Sequence, residues 1–168
     1  MIRILLFTLL AACLATGMLA CGGGGDTGQT QKAPATSTPA PAKPAVLEIV
    51  IRPVGNEMKY QTVEFTVKAG QRVKIIMDNI ATVEAMQHNV VITKPGTNTN
   101  DVGLAAVQAG EAAGYIPESD AILFYTAIAK PGEKTEIEFT APDPGDYPYV
   151  CTFPGHFALM KGVMHSVE

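Results

Sequence analysis

Short runs of period-two alternation, cut apart by glycine and proline turns, constrain this chain more than any other feature. Leu47, Ile49 and Ile51 alternate with Glu48 and Arg52, and Val63, Phe65 and Val67 with Thr62, Glu64 and Thr66. Val73, Ile75 and Met77 make a third run, and Ile137 and Phe139 a fourth against Glu136 and Glu138. A strand sends successive side chains to opposite faces, so this alternation marks strands with one buried face. Ala69-Gly70, Pro95-Gly96, Pro131-Gly132 and Pro144-Gly145 supply the turns between them. With residues 88–92, 122–126, 147–152 and 162–167, about eight short strands emerge. The pattern predicts an all-β fold, an antiparallel β-sandwich. Residues 101–113 depart from it. They are Ala-rich, follow a cap candidate (Asn100 or Asp101) and end near Gly114, which predicts a short inserted helix despite Gly103 and Gly110.

The strands occupy residues 46–168, a single domain of 123 residues, long enough for one sizeable core. What precedes it has a different character. Arg3 opens a basic start and residues 4–19 are almost unbroken apolar sequence, so residues 1–20 read as a secretory signal. Met18-Leu19-Ala20-Cys21 resembles the bacterial lipobox, with Cys21 as the lipid-bearing residue. Leu10-Ala11-Ala12-Cys13 also looks like one, but a cut there leaves too short an apolar core. The competing reading is an uncleaved membrane helix of about 17 residues, near the lower limit for a span. Both readings put the C-terminal domain outside the cytoplasm, at the cell membrane, because Arg3 holds the N-terminus inside. Residues 21–45 contain Gly, Pro, Ala, Thr and Ser and almost no large side chain, so they read as a flexible linker reaching at most about 70 Å.

Removing residues 1–20 takes away only Arg3, leaving 11 basic against 16 acidic side chains, a net charge of −5. A mildly acidic chain without a Lys/Arg cluster does not suit nucleic acid. The expected state is a monomer. Beyond Cys21 only Cys151 remains, so the domain can form no internal disulfide. A lone thiol in an oxidising compartment is a hazard unless something occupies it, and a metal does so.

Cys151-Thr152-Phe153-Pro154-Gly155-His156-Phe157-Ala158-Leu159-Met160 shows what that metal is. A thiolate, an imidazole and a thioether stand at spacing Cys-x4-His-x3-Met, and Pro154-Gly155 supplies the turn chemistry by which all three can face one point. A second imidazole, His88, lies upstream in Met86-Gln87-His88-Asn89. Two His and one Cys with a more distant Met form the donor set of a blue-copper site. His165 fits neither position and reads as a surface residue. Met164 competes with Met160 in principle, but its spacing favours core packing, and Met58 and Met77 read as ordinary methionines.

Residues 151–162 resemble the C-terminal copper loop of azurins, and Met86-Gln87-His88-Asn89 resembles their first-histidine segment. Gly55-Asn56-Glu57-Met58, the inserted helix, Gly132-Glu133-Lys134 and the last strand fall in matching order. The domain thus resembles the azurin-like cupredoxins, among which the membrane-attached auracyanins of anoxygenic phototrophs share the tethered layout. The resemblance implies a Greek-key sandwich holding one copper ion. His88, Cys151 and His156 match the equatorial ligands, Met160 the axial one, and the Gln87 backbone carbonyl a distant weak contact where azurins carry Gly. Asn89 and Thr152 match a pair bracing the ligand loop, and the N–H groups of Asn89 and Phe153 match donors to the thiolate. The azurin N-terminal disulfide is missing, so strand packing alone must hold that region.

His156 is expected to reach the surface within an apolar ring of Met86, Phe153, Pro154, Phe157 and Ala158 that docks redox partners: a cytochrome, a membrane oxidoreductase complex or a reaction centre. The leading function is therefore an electron carrier rather than an enzyme. A copper-dependent reductase or oxidase needs a second copper type and further His ligands, and the chain has three His in all. A binuclear copper site needs a second Cys in the loop. A copper-handling lipoprotein that binds and delivers the ion is the alternative, and a metal-free adhesive lipoprotein a further one.

Overall fold

The computed structural model describes residues 45–168. The predicted signal (1–20), Cys21 and the linker up to residue 44 lie outside them. Among the described residues there are eight strands, β1 (Leu47–Ile51), β2 (Glu64–Lys68), β3 (Arg72–Asp78), β4 (Val91–Thr93), β5 (Ile122–Tyr125), β6 (Lys134–Thr140), β7 (Gly145–Val150) and β8 (Lys161–Val167). One helix, α1 (Thr99–Ala109), and a 3-10 turn (Glu111–Ala113) sit between β4 and β5. The strands form two sheets, ordered β1-β3-β6 and β2-β8-β7-β4-β5.

The all-β sandwich with one inserted helix is what the alternation predicts, but the sheets are mixed rather than antiparallel. β1 runs parallel to β3, and β2 parallel to β8. Side-chain alternation records which face is buried and carries no strand direction. Here β2 belongs to the opposite sheet, so the chain re-enters the first sheet at β3 in the direction β1 already had.

In β3 the alternation is nearly strict: Val73, Ile75 and Met77 are sealed, while Arg72 and Lys74 face out and pair with Glu138 and Glu136 at 2.9 Å each. Such exposed pairs contribute little. Stability resides in the layer between the sheets, where Ile51, Val67, Val73, Ile75, Met77, Ile92, Tyr149 and Met164 are almost fully buried. Burying an aliphatic side chain of this size contributes about 1.5–3 kcal/mol. Phe124 of β5 stacks on Phe139 of β6 across the layer, with ring centroids 4.1 Å apart.

β4 breaks the alternation, since Val91, Ile92 and Thr93 are all buried. One face meets the core, and the other lies under α1, where Val91 and Val150 pack with Val102, Ile116, Ile122 and Phe157. The helix starts two residues before the expected position. Its cap is Asn98, whose side chain accepts from the Asn100 N–H at 3.1 Å, and it ends at Gly110 before the 3-10 turn. Gly103 costs the helix conformational entropy, yet its site explains it. A Cβ there would lie 2.1 Å from Phe157 Cγ, so glycine lets α1 rest directly on the segment that follows His156.

Candidate metal centre

His88, Cys151 and His156 gather at one end of the five-stranded sheet. β4 and β7 are neighbours, with Val91 paired to Val150. His88 therefore precedes β4 and Cys151 follows β7 at the same rim. The predicted strand at residues 88–92 begins only at Val91, and His88 instead forms a lone bridge with Ala129. Its N–H donates to the Ala129 carbonyl (3.1 Å), and the Ala129 N–H donates back (2.8 Å). Residues 151–160 then close on themselves. The Cys151 N–H donates to the Met160 carbonyl (2.9 Å), the His156 N–H to Phe153 (3.0 Å), and the Met160 N–H to His156 (2.9 Å). Gly155 takes the left-handed backbone this turn requires (φ 85°).

The result is a compact triangle. Cys151 Sγ lies 3.8 Å from His88 Nδ1 and 3.8 Å from His156 Nδ1, and the two Nδ1 atoms are 3.2 Å apart. The point equidistant from all three is about 2.1 Å from each, within the roughly 2.0–2.3 Å that imidazole and thiolate take to a borderline-soft metal ion. Met160 is fully buried in the same cluster as Cys151, and the Gln87 carbonyl oxygen is 4.0 Å from Sγ. A cation would relieve this arrangement. Burial, together with the facing His156, pushes the His88 imidazole down to about 4, and burial also lowers His156. Burial pushes the Cys151 thiol up to about 11, against the backbone N–H groups of Asn89 and Phe153 and the Tyr60 hydroxyl, all of which favour the thiolate. His88 Nε2 is the buried side-chain nitrogen or oxygen without a partner among the described residues.

The neighbouring residues are braced by polar side chains that are sealed from solvent. Asn89 and Thr152 form a reciprocal clip: Asn89 Nδ2 donates to Thr152 Oγ1, and the Thr152 N–H to Asn89 Oδ1, both at 2.8 Å. The resemblance to azurins implies this pair; two further braces, Asn79 and Tyr60, are not among the expected residues. Asn79 Nδ2 donates to the Met86 carbonyl (2.7 Å) and the Ala129 carbonyl (2.8 Å), holding both flanks of His88. Tyr60 donates its hydroxyl proton to the Asn89 carbonyl at 2.5 Å. Neither lies in an alternating run or a metal motif. The only sequence signal is a polar or aromatic residue at a strand end or in a turn.

His156 reaches solvent by an edge alone, with 3% of its surface exposed, less than the sequence reading expects. Phe153 stands beside it (centroids 5.0 Å apart) and is itself met edge-on by Tyr115 at 5.4 Å. Phe153, Pro154 and Phe157 are half-buried and Ala158 is exposed, while Met86 lies on an open groove of about 480 Å³ together with Met58, Val63 and Leu159. Leu159, 66% exposed, is the most prominent apolar side chain of this surface and is absent from the predicted ring. His165 is partly exposed and contacts Asp146 Oδ1 at 2.7 Å, while Met164 is core, as expected.

Two imidazoles, a thiolate and a nearby thioether in a β-sandwich define a copper-binding protein of the cupredoxin class. The sequence profile of the copper-binding proteins of the plastocyanin/azurin family matches residues 48–166, and the chain belongs to that family. It is 36% identical to Auracyanin-A of Chloroflexus aurantiacus over 163 residues, covering 96% of this chain and 94% of that protein. The solved structure of auracyanin A, described as a blue copper protein of that green thermophilic photosynthetic bacterium, superposes with a TM-score of 0.69 at 36% identity, over 73% of this chain and all of that one. Dithionite-reduced auracyanin of the photosynthetic bacterium Roseiflexus castenholzii gives 0.66 at 37% identity, over 72% and 97%. The cofactor is copper.

Proposed function

We propose that this protein is a blue-copper electron carrier, with His88, Cys151 and His156 as equatorial ligands, Met160 as axial ligand and the Gln87 carbonyl as a weak additional contact. The observation that carries the reading is the buried triangle of Sγ and two Nδ1 atoms, drawn from two chain segments and set at bonding radius around one point. When bound there, copper supplies a one-electron couple. The chain's own part is to keep the donors still: the Asn89–Thr152 clip, the His88–Ala129 bridge and the Cys151–Met160 hydrogen bond all resist rearrangement. Donors fixed by a rigid scaffold move little between oxidation states, which keeps reorganisation small.

Electrons pass through the exposed edge of His156. The apolar side chains around it, Met86, Phe153, Pro154, Phe157 and Ala158, together with Leu159, form a docking face for brief encounters. The partners are redox proteins: a cytochrome, a membrane oxidoreductase complex or a reaction centre. A photosynthetic chain is favoured by the two relatives from photosynthetic bacteria. The domain works as a monomer on the extracytoplasmic face of the cell membrane, tethered through a lipid on Cys21. Among the described residues no helix is long and apolar enough to cross a membrane.

Copper loading tests the reading. The oxidised protein should show an intense blue band that ascorbate bleaches. A colourless protein that gives its copper quickly to a chelator would establish the copper-handling alternative instead.

A further inference from the structure

Residues 53–60 form a tight loop beside the metal centre. Pro53 bridges Tyr60, the Val54 N–H donates to the Lys59 carbonyl (2.9 Å), and Gln61 Nε2 donates to the Pro53 carbonyl (3.0 Å). Asn56 fastens the outer end, its Oδ1 accepting from the Thr82 N–H at 2.8 Å. This loop delivers Tyr60 to the interior, 1% exposed, with its ring 5.5 Å from that of Tyr149. A phenol sealed in an apolar layer requires a hydrogen-bond partner. Tyr60 takes the carbonyl of Asn89, the residue after His88. Asn89 is thus held at two points, by Tyr60 at the carbonyl and by Thr152 at the side chain. Its remaining polar group, the backbone N–H, faces the Cys151 sulfur, and the Tyr60 hydroxyl oxygen faces that sulfur too.

We propose that Tyr60 is a positioning residue of the metal centre: its hydroxyl fixes Asn89 so that the Asn89 N–H stays aimed at Cys151 Sγ, and this raises the reduction potential of the site. A hydrogen bond to the thiolate draws electron density from sulfur and weakens its donation to the oxidised metal, so the reduced state gains. Packing and hydrogen bonding are separable at this residue, because the ring fills the layer and only the oxygen reaches Asn89. The inference rests on the blue-copper reading above.

Tyr60→Phe keeps the ring and removes the hydroxyl. Tyr149→Phe is the control, since that hydroxyl donates to the Thr62 carbonyl instead. Absorption spectra and midpoint potentials of the full-length, copper-loaded wild type and both variants decide the matter. Tyr60→Phe should stay blue with a shifted thiolate band and a lower potential, while Tyr149→Phe should change neither. A Tyr60→Phe protein with the wild-type band and potential overturns the proposal. Should that variant fail to fold, 3-fluorotyrosine placed at position 60, a stronger donor on nearly the same ring, should move the potential upward, and no movement overturns the proposal equally. A wild type that takes up copper without turning blue would overturn the functional reading itself.

Discussion

The Asn89–Thr152 clip joins the segment carrying His88 to the loop carrying Cys151, His156 and Met160, so cutting it tests whether the site is assembled before the metal arrives. Asn89→Ala removes the acceptor of the Thr152 N–H and the donor to Thr152 Oγ1, each at 2.8 Å between residues with no exposed surface. A buried N–H left without an acceptor costs about 1–3 kcal/mol, and the lost hydroxyl bond about 1 kcal/mol more, because the hydroxyl can turn elsewhere. The expected loss is about 2–4 kcal/mol, a large share of the roughly 5–15 kcal/mol a domain possesses. Urea unfolding of the copper-free protein measures it. Thr152→Ala severs only the side-chain bond, and the double variant completes a cycle with a coupling of about 1 kcal/mol. The copper-free Asn89→Ala protein should also load copper more slowly, because its two donor segments are no longer tied. A loss below about 0.5 kcal/mol with unchanged loading would refute a preassembled site.

Cys151→Ser should abolish the blue band, while Met160→Leu should keep it and raise the potential through loss of a weak donor. An unchanged potential in Met160→Leu would show that this thioether is not axial. Gly103→Ala improves helix propensity by about 1 kcal/mol, but it places a Cβ 2.1 Å from Phe157 Cγ. Overpacking of about 1–3 kcal/mol should prevail, and greater stability in thermal unfolding would count against direct contact between α1 and the ligand loop. Burial pushes the Asp78 carboxyl up, but Arg52 (2.7 Å) and Lys134 (3.3 Å) outweigh it and leave its pKa lowered. The unfolded chain then binds the proton more readily, so this contribution is complete above about pH 4 and is lost as pH falls through the lowered folded value. Stability should decline less steeply with acid in Asp78→Asn than in the wild type, and equal slopes would show the cluster to be inert.

The parts of this molecule legible in its sequence are those written as local patterns. β1, β2, β3 and β6 stand within a residue or two of their alternating runs because each buries one face, and the loop from Cys151 to Met160 carries its donors at fixed short spacing. Strand direction was not legible, since Leu47, Ile49 and Ile51 alternate identically beside a parallel or an antiparallel neighbour. The start of β4 was also hidden. Residues 88–92 read as one short strand, but His88 and Asn89 give their hydrogen bonds to Ala129, Thr152 and the sulfur instead of a strand ladder. Tyr60 and Asn79 act across sequence separations of 29 and 50 residues on Asn89 and Ala129, and no local pattern encodes such a contact.

The register between β4 and β7 links the fold to the site. With Val91 opposite Val150, His88 and Cys151 emerge at one rim close enough for their donor atoms to stand 3.8 Å apart. A slip of one residue would shift one strand by about 3.3 Å and turn its side chains to the opposite face. A strand that is half polar resists such a slip because a charged side would enter the core. β4 is apolar on both faces and lacks that safeguard, so its register must be specified from outside. Thr93 Oγ1 donates to the Pro148 carbonyl (2.9 Å) at one end, the Val90 N–H donates to Thr126 Oγ1 (3.1 Å) from the neighbouring side, and the Asn89–Thr152 clip closes the other end. These three side-chain bonds are satisfied in one register alone, and helix α1 covers the face that they leave apolar.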